Sequence, residues 1–246
     1  MEDTDGVRGA RLRELGVVRI LIQSPFSTGL RARHQCDRFL ETLGEMAADI
    51  SSEEAVQIPT HLLERGRDYL DAFRLPRGHS LVLVHPGSGS IHKCHEPRGL
   101  AVLIERLQEE GMCPLVLEGP ADHDAVNHVL HFLNTPPPVL RDLDLPQLAG
   151  VLRHVTFYIG HDSGVTHLST LLGVRTIALF GPTNHHRWAP RGSHVTILRG
   201  ATCRCESWDA VRECTERPCL NVTIEELYAA SKLVMKEECA NPRNST

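Results

Sequence analysis

Apolar and polar positions along the chain predict strands and helices in alternation. Residues 81–84 (LVLV) are a continuous apolar run, followed by a glycine-containing loop and by apolar positions at helical spacing over 100–107. The same order repeats with an apolar run at 114–118 and helical spacing over 126–133. Because strands alternate with helices, we expect an α/β fold, a Rossmann-like, doubly wound parallel sheet with right-handed crossovers.

Two more buried strands are predicted in the second half of the chain, at residues 155–159 and 176–180. The stretch between them, 164–172, predicts a short helix, which Gly173 can end in a left-handed conformation. At the end of this helix the apolar run resumes at once. The spacing therefore indicates another strand–helix–strand unit of the same sheet.

The front of the chain is less regular. Residues 17–23 (VVRILIQ) predict a short strand, 31–43 a helix, and 51–78 an irregular helical pattern interrupted by prolines. We expect a domain boundary near residues 77–80, where the regular pattern begins.

Composition and charge exclude several classes of function. The formal net charge is −5, whereas a nucleic-acid-binding domain is expected to be strongly basic. No apolar run approaches the roughly 20 residues of a membrane-spanning helix, and the first residues are acidic where a signal peptide is basic. We therefore expect a cytoplasmic protein without nucleic-acid partners.

Half of the eight cysteines crowd into one segment near the C-terminus, namely Cys203, Cys205, Cys214 and Cys219. Four thiolates could bind a structural zinc ion, but C-x-C with widely spaced partners is not the usual pair of C-x-x-C hairpins. In a cytoplasmic chain the sequence favours reduced thiols. We therefore predict no metal and keep these four cysteines as zinc candidates.

The loops that follow two predicted strands carry the candidate chemistry. In an open α/β sheet, ligands bind beyond the carboxyl ends of the strands, where helices begin with free backbone N–H groups. After the strand at 155–159, Asp162 or Ser163 is positioned to cap a helix, and Gly164 would allow an anion to approach the first helical amides. The alternative is that these residues only cap a helix.

Lys93 is the second sign of an anion site. The other two lysines of the chain, Lys232 and Lys236, lie in the predicted final helix, whereas Lys93 follows the glycine loop HPGSGS. An ammonium group is a compact charge suited to phosphate oxygens. The alternative is a solvated surface lysine beside a tight turn.

Together these stretches resemble glycosyltransferase family 9, the lipopolysaccharide heptosyltransferases. The matching segments are HPGSGSIHK with EPRGLAVLIERL, LVLEGPAD, the long stretch from DLDLPQLAG to ALFGPT, and RWAPRG. They cover about residues 80–200, and D-S-G-x-x-H together with F-G-P-T is their most specific part.

The resemblance implies both a reaction and a set of donor-binding residues. Family members transfer a sugar, with inversion, from a nucleotide-diphosphate donor, here expected to be ADP-heptose, to a hydroxyl of the lipopolysaccharide core. The donor is a substrate, so no cofactor is expected, and a lipid-linked acceptor implies peripheral contact with the inner membrane. The positions that match the family's donor contacts are Ser88, Lys93, Asp122, Asp162, Ser163, Gly164, His167 and Thr183.

The resemblance also implies three parts and a short front. Family members have the two-domain GT-B fold, and we expect residues 1–78 to be a remnant of the N-terminal acceptor domain, 79–222 the donor-binding domain, and 223–246 a C-terminal helix and tail. Thr223 and Glu226 have capping-box spacing at the start of that helix.

The resemblance implies that the catalytic base belongs to the N-terminal domain, of which we expect only a remnant here, so no catalytic residue is assigned. His34 and Asp37 are the substitutes that the sequence offers. The alternative function is a non-catalytic nucleotide-sugar binding fragment of such an enzyme.

Overall fold

The computed structural model describes residues 6–21, 33–47 and 56–240. The described helices are α1 (Val7–Glu14), α2 (Gln35–Leu43), α3 (Thr60–Asp71), α4 (Pro97–Glu109), α5 (His123–His131), α6 (Leu145–His154), α7 (Gly164–Leu171), α8 (His185–Trp188), α9 (Trp208–Glu213) and α10 (Ile224–Ala240). The strands are β1 (Leu81–His85), β2 (Cys113–Leu117), β3 (Val139–Leu140), β4 (Phe157–His161), β5 (Arg175–Leu179) and β6 (Val195–Leu198). Short 3-10 turns lie at Gly44–Ala47, Ile91–Lys93 and Pro218–Leu220.

The chain divides into two compact units. The first comprises Met1–Ser52 together with Asn184–Trp188, and the second comprises Glu53–Thr183 and Ala189–Thr246. In the first unit, the guanidinium group of Arg187 donates two hydrogen bonds to Oε1 of Gln35, at 3.1 and 3.0 Å. The parallel sheet belongs to the second unit.

All six strands form one parallel sheet in the order β3-β2-β1-β4-β5-β6. The chain starts at the centre with β1, builds outward through β2 to β3, and then crosses to β4 on the other side of β1. This reversal confirms the predicted Rossmann-like, doubly wound α/β fold. It also makes the carboxyl ends of β1 and β4 the point where the crossovers diverge and a crevice opens.

Helices cover both faces of the sheet, and alternate side chains of each strand serve the two cores. Val82 and Val84 pack in a core with residues of α4, α5 and α10. Leu83, between them, packs in a second core with residues of α3, α6 and α7. Because both faces are buried, the strand reads as a continuous apolar run rather than an alternating one.

Helices α3 and α6 cross at two glycines. A Cβ atom built on Gly66 would lie 2.2 Å from the carbonyl carbon of Gly150, and one built on Gly150 would lie 2.0 Å from the backbone oxygen of Leu62. Only hydrogen atoms fit between the two backbones, so glycine is required at both positions. Leu70 of α3 and Leu148 of α6 join the same buried core.

Most of the predicted elements are confirmed, with shifted ends. The strands predicted at 81–84, 114–118, 155–159 and 176–180 appear as β1, β2, β4 and β5. Gly173 has φ = 70° and ends its helix as predicted. The capping box before α10 is also present, since the Thr223 N–H donates to Oε2 of Glu226 (2.8 Å) and the Glu226 N–H donates to Oγ1 of Thr223 (3.2 Å).

The strand predicted at 17–23 is wrong over its described part. Residues 17–21 are irregular, and residues 22 and 23 lie outside the described residues. A strand forms only when a neighbouring strand satisfies its backbone groups, and the described sheet offers residues 17–21 no such pairing. The helix predicted at 31–43 begins at Gln35, and residues 31 and 32 lie outside the described residues.

Within the described ranges, no helix is both long enough and apolar enough to cross a membrane.

Candidate nucleotide-sugar site

Three of the predicted donor residues meet where β1 and β4 end side by side. Ser88 and Lys93 lie in the loop after β1, and Asp162 directly follows β4. The Ser88 hydroxyl donates to the backbone oxygen of Asp162 (2.8 Å), and the Lys93 ammonium group lies 2.9 Å from Oδ2 of Asp162. The side chains of this ion pair are only 21% and 10% exposed. The fold therefore places a positive and a negative charge together at the mouth of the crevice.

The start of helix α7 adds backbone donors to this mouth. Ser163 is the N-cap, because its Oγ accepts a hydrogen bond from the Thr166 N–H (3.4 Å). Of the two capping candidates in the sequence, Ser163 holds this position and Asp162 does not. The N–H groups of Gly164 and Val165 precede the first intrahelical hydrogen bond, and a Cβ atom on Gly164 would meet nothing within 4 Å. An anion can therefore reach these amides.

Asp122 lies beneath the glycine loop and is nearly buried. Its Oδ2 accepts hydrogen bonds from the Gly119 N–H (3.0 Å) and pairs with Nε2 of His85 (2.8 Å). A Cβ atom on Gly87 would lie 1.8 Å from Oδ1 of Asp122, so the carboxylate packs directly against the loop. Burial would raise the pKa of Asp122, but the hydrogen bond and charge of His85 and the Gly119 amide outweigh it and lower that pKa.

The remaining predicted donor residues lie close to these groups in the chain. His167 is half-buried on α7, and its N–H lies 3.4 Å from the carbonyl oxygen of Ser163. Thr183 follows β5, which is the neighbour of β4. The Oγ1 atom of Thr183 is buried and has no hydrogen-bond partner among the described residues. Buried polar atoms are nearly always paired, so this hydroxyl is a candidate for a ligand contact.

A buried series of hydrogen-bonded side chains, which the sequence did not reveal, connects Asp122 to helix α7. Nδ1 of His85 lies 3.2 Å from the Tyr158 hydroxyl, which lies 3.2 Å from Oγ1 of Thr166. That Thr166 hydroxyl also lies 3.2 Å from Oγ of Ser163. The only signal in the sequence is that polar side chains interrupt apolar strands. Burial raises the pKa of Tyr158, so its hydroxyl keeps its proton and can donate within this series.

His161 fixes the same loop from inside the sheet. Its Nε2 accepts a hydrogen bond from the His95 N–H (2.8 Å), so the proton of the neutral ring is on Nδ1, which lies 3.3 Å from the Gly87 carbonyl oxygen. Burial, followed by the neighbouring His85 and His95, lowers the pKa of His161 to about 3. The ring is therefore neutral at physiological pH, and its two hydrogen bonds hold the backbone of Gly87 and His95 in place.

We expect acid to destabilise the fold between about pH 6.5 and pH 3 through His161. In that window the unfolded chain binds a proton at this position that the folded chain does not. The free energy of unfolding therefore decreases as the pH is lowered, by at most roughly 1.4 kcal/mol per pH unit. Denaturant unfolding at stepped pH values measures the slope. His161→Gln should flatten it, and an equal slope in both proteins would contradict the assignment.

A cleft of about 910 Å³ borders the glycine loop through Pro86 and Ile91. Its walls come from the starts of α4 and α10, from α5, and from the segment that runs from Arg212 to Thr223. None of the eight predicted donor residues is among the residues that line it. The cleft therefore adjoins the loop that carries Lys93 without including the predicted donor residues themselves.

The cysteine segment is the one group of described residues that could hold a metal ion. The sulfur atoms of Cys203, Cys205 and Cys214 all lie within 4.8 Å of one another.

Comparisons with known proteins agree with the fold. The family model described as glycosyltransferase family 9 (heptosyltransferase) matches residues 31–219. A glycosyl transferase family 9 structure from Veillonella parvula is 21% identical with a TM-score of 0.75, covering 86% of this chain and 62% of its own. E. coli ADP-heptose lps heptosyltransferase II is 19% identical with a TM-score of 0.64, and the match covers 78% of this chain and 57% of that structure's chain.

A third structure, E. coli heptosyltransferase WaaC with ADP, is 18% identical with a TM-score of 0.53, and 84% of this chain is covered. This chain spans about three fifths of the length of these structures. No curated protein sequence matches it. The family match covers most of the sequence, and the chain belongs to glycosyltransferase family 9, the heptosyltransferase family.

Proposed function

We propose that the chain binds ADP-heptose and takes part in heptosyl transfer, with inversion, to a hydroxyl of the lipopolysaccharide core. The observation that carries the proposal is the Lys93–Asp162 ion pair beside the open start of α7. Two of the similar structures are, by their descriptions, an ADP-heptose heptosyltransferase and a heptosyltransferase with ADP, which supports this choice of donor.

The site offers what a departing nucleotide diphosphate requires. When the glycosidic bond to phosphate breaks, negative charge develops on the leaving oxygens. The Lys93 ammonium group and the amides of Gly164 and Val165 are fixed donors at one place, and such preorganised donors lower the barrier to forming that charge. We propose that these groups contact the diphosphate, with the hydroxyls of Ser88 and Thr183 beside it.

Asp162 has a different part in the proposal. A carboxylate repels phosphate, so Asp162 cannot itself bind the diphosphate. It holds the Lys93 ammonium group in place and is free to accept hydrogen bonds from sugar hydroxyls at its outer edge. His167, one turn along α7, is proposed to contact the same sugar or its phosphate.

Asp122 is proposed to serve the nucleotide ribose and to shape the glycine loop. Its bonds to His85 and Gly119 fix the carboxylate beneath Gly87. We assign no described residue as the base that deprotonates the acceptor. His34 caps α2 with Nδ1 toward the Cys36 N–H (3.2 Å), and both it and Asp37 belong to the first unit.

Titration calorimetry with ADP-heptose, ADP and UDP tests the proposal. We expect ADP-heptose and ADP to bind and Gly164→Ala to weaken both by about tenfold or more, because a methyl group would occupy the space the phosphate needs. The same substitution should not lower thermal stability, since the added methyl group meets no protein atom within 4 Å.

Absence of binding by every nucleotide would contradict the proposal. Unchanged affinity in Gly164→Ala would remove the start of α7 from the site. Binding without any transfer from ADP-heptose to a lipid A–Kdo acceptor would favour the non-catalytic alternative.

A further inference from the structure

The segment between β6 and α10 gathers cysteines that are far apart in sequence. Cys203 and Cys205 come soon after β6, Cys214 follows α9, and Cys219 lies in the 3-10 turn before α10. Cys203 and Cys219 lie 16 positions apart in the sequence. The intervening helix turns the chain back on itself, so the sequence spacing does not describe the spatial arrangement.

The sulfur atoms lie at distances that suit one shared ion. Sγ of Cys203 lies 2.8 Å from Sγ of Cys205 and 4.0 Å from Sγ of Cys214, and all three lie within 4.8 Å of one another. A tetrahedral zinc ion with Zn–S bonds of about 2.3 Å places its sulfur ligands about 3.8 Å apart. The Cys203–Cys214 pair is already near that spacing, whereas the Cys203 and Cys205 sulfur atoms would have to move apart by about 1 Å to reach it.

A fourth sulfur would come from Cys219. Its side chain is buried, and its thiol lies outside the three sulfur atoms that are all within 4.8 Å of one another, but near enough to interact electrostatically with Cys203. The backbone holds it there, because the Gly200 N–H donates to the Cys219 carbonyl oxygen (3.0 Å). A Cβ atom on Gly200 would lie 2.1 Å from the Pro218 oxygen, so the two chain segments touch backbone to backbone.

The turn that presents Cys219 is conformationally costly. Arg217 has φ = 43°, in the left-handed region, although it is not glycine and precedes a proline. Such a residue costs about 1–2 kcal/mol and persists where the surrounding structure demands it. A metal ion that joins Cys214 to Cys219 across this turn would hold Arg217 in its left-handed conformation.

We propose that Cys203, Cys205, Cys214 and Cys219 bind one structural zinc ion. Four cysteine ligands, all from the protein, leave no open position, which is the arrangement of structural rather than catalytic zinc. Each thiol loses its proton on binding, and Zn²⁺ offsets two of the four negative charges of the thiolates. Arg204, Arg212 and Arg217 are interspersed among the four cysteines and bring further positive charge to the segment.

The zinc ion would fix one wall of the 910 Å³ cleft. Arg212, Cys214, Arg217 and Leu220 all line that cleft, and they belong to the segment that the ion would hold together. Leu220 also packs on Gly181, where a Cβ atom would lie 2.5 Å from its Cδ2. The ion would therefore also steady the turn after β5, in which Thr183 lies.

Elemental analysis of the full chain, purified under reducing conditions without chelator, tests the site. We expect one zinc ion per chain. Replacement of zinc by Co²⁺ should give the intense visible bands of a tetrahedral cobalt thiolate, and removal by a chelator should lower the unfolding temperature. The cobalt spectrum uses the unaltered chain, so it remains informative if the cysteine variants fail to fold.

Cys214→Ser should lose the zinc ion and the cobalt spectrum, whereas Cys36→Ser, at an exposed cysteine of the first unit, should keep both. Three results would overturn the proposal: reduced protein that takes up neither metal, a Cys203–Cys205 disulfide found by mass spectrometry after thiol blocking, or stoichiometric iron in place of zinc.

Discussion

Replacing Lys93 by alanine is expected to weaken ADP binding about 10- to 100-fold, the loss of one charge-assisted hydrogen bond of about 1.5–3 kcal/mol. The substitution removes the ammonium group and leaves the Asp162 carboxylate, 10% exposed, facing the diphosphate without its partner. Both changes act against an anion. Calorimetry with ADP, together with thermal unfolding, measures the effect and shows whether the fold is kept.

Lys232→Ala is the matched control. Lys232 also pairs with a carboxylate, at 3.2 Å from Oε2 of Glu110, but on the exposed surface of α10. It should leave ADP affinity unchanged. An equal loss in both variants, or none in Lys93→Ala, would contradict the proposed role.

Asp162→Asn separates the two halves of the ion pair. It removes the negative charge and keeps the Ser163 cap of α7, so ADP should bind as well as before or better. ADP-heptose should lose affinity, because a carboxylate accepts more hydrogen bonds from sugar hydroxyls than an amide does. If both ligands lose affinity equally, Asp162 does not distinguish the sugar from the diphosphate.

Replacing Gly150 by alanine is expected to lower the free energy of unfolding by about 2–3 kcal/mol through overpacking. The new methyl group would lie 2.0 Å from the Leu62 oxygen, and a backbone atom cannot rotate away as a side chain can. Helices α3 and α6 must then separate along their shared core. The expected fall in unfolding temperature is roughly 4–10 °C for a chain of this size.

Gly164→Ala makes the same chemical change at a helical position with no protein atom within 4 Å of the added group. It should be neutral or slightly stabilising, because alanine favours a helix by up to about 1 kcal/mol over glycine. The pair of variants therefore isolates packing from helix propensity. Equal unfolding temperatures for the two would show that α3 and α6 are not in tight contact.

The sequence predicted the centre of the sheet because a strand buried on both faces is a continuous apolar run. It missed the edges, since β3 has only two residues after a run of prolines and β6 is only half-buried. It also missed α6, although Asp144 and Gln147 form a capping box at its start. The short β3 and the half-buried β6 carry too few apolar positions for periodicity to show, whereas the buried residues 148–152 of α6 are consecutive and show no helical period.

For the site, too, the sequence predicted local features but not the contacts that the fold creates. Lys93 and Asp162 were identified because each lies in a loop after an apolar run, and Ser88 because it matches the family's first phosphate loop. Their contact could not be predicted, since Lys93 and Asp162 are 69 positions apart and meet only because β1 pairs with β4. His85 and Tyr158 were missed because each belongs to a strand, where a single polar side chain does not indicate its partner.

The packing of α3 on α6 also determines where this protein can be recombined. The predicted boundary near residue 78 is a natural place to join the sheet to a different acceptor domain in a chimera. A junction there would remove α3, together with Leu70 from the core that it shares with Leu148 and Leu152. The exposed apolar face would favour aggregation of the hybrid. The junction of a chimera should therefore lie before Thr60, so that the hybrid keeps α3 packed on its sheet.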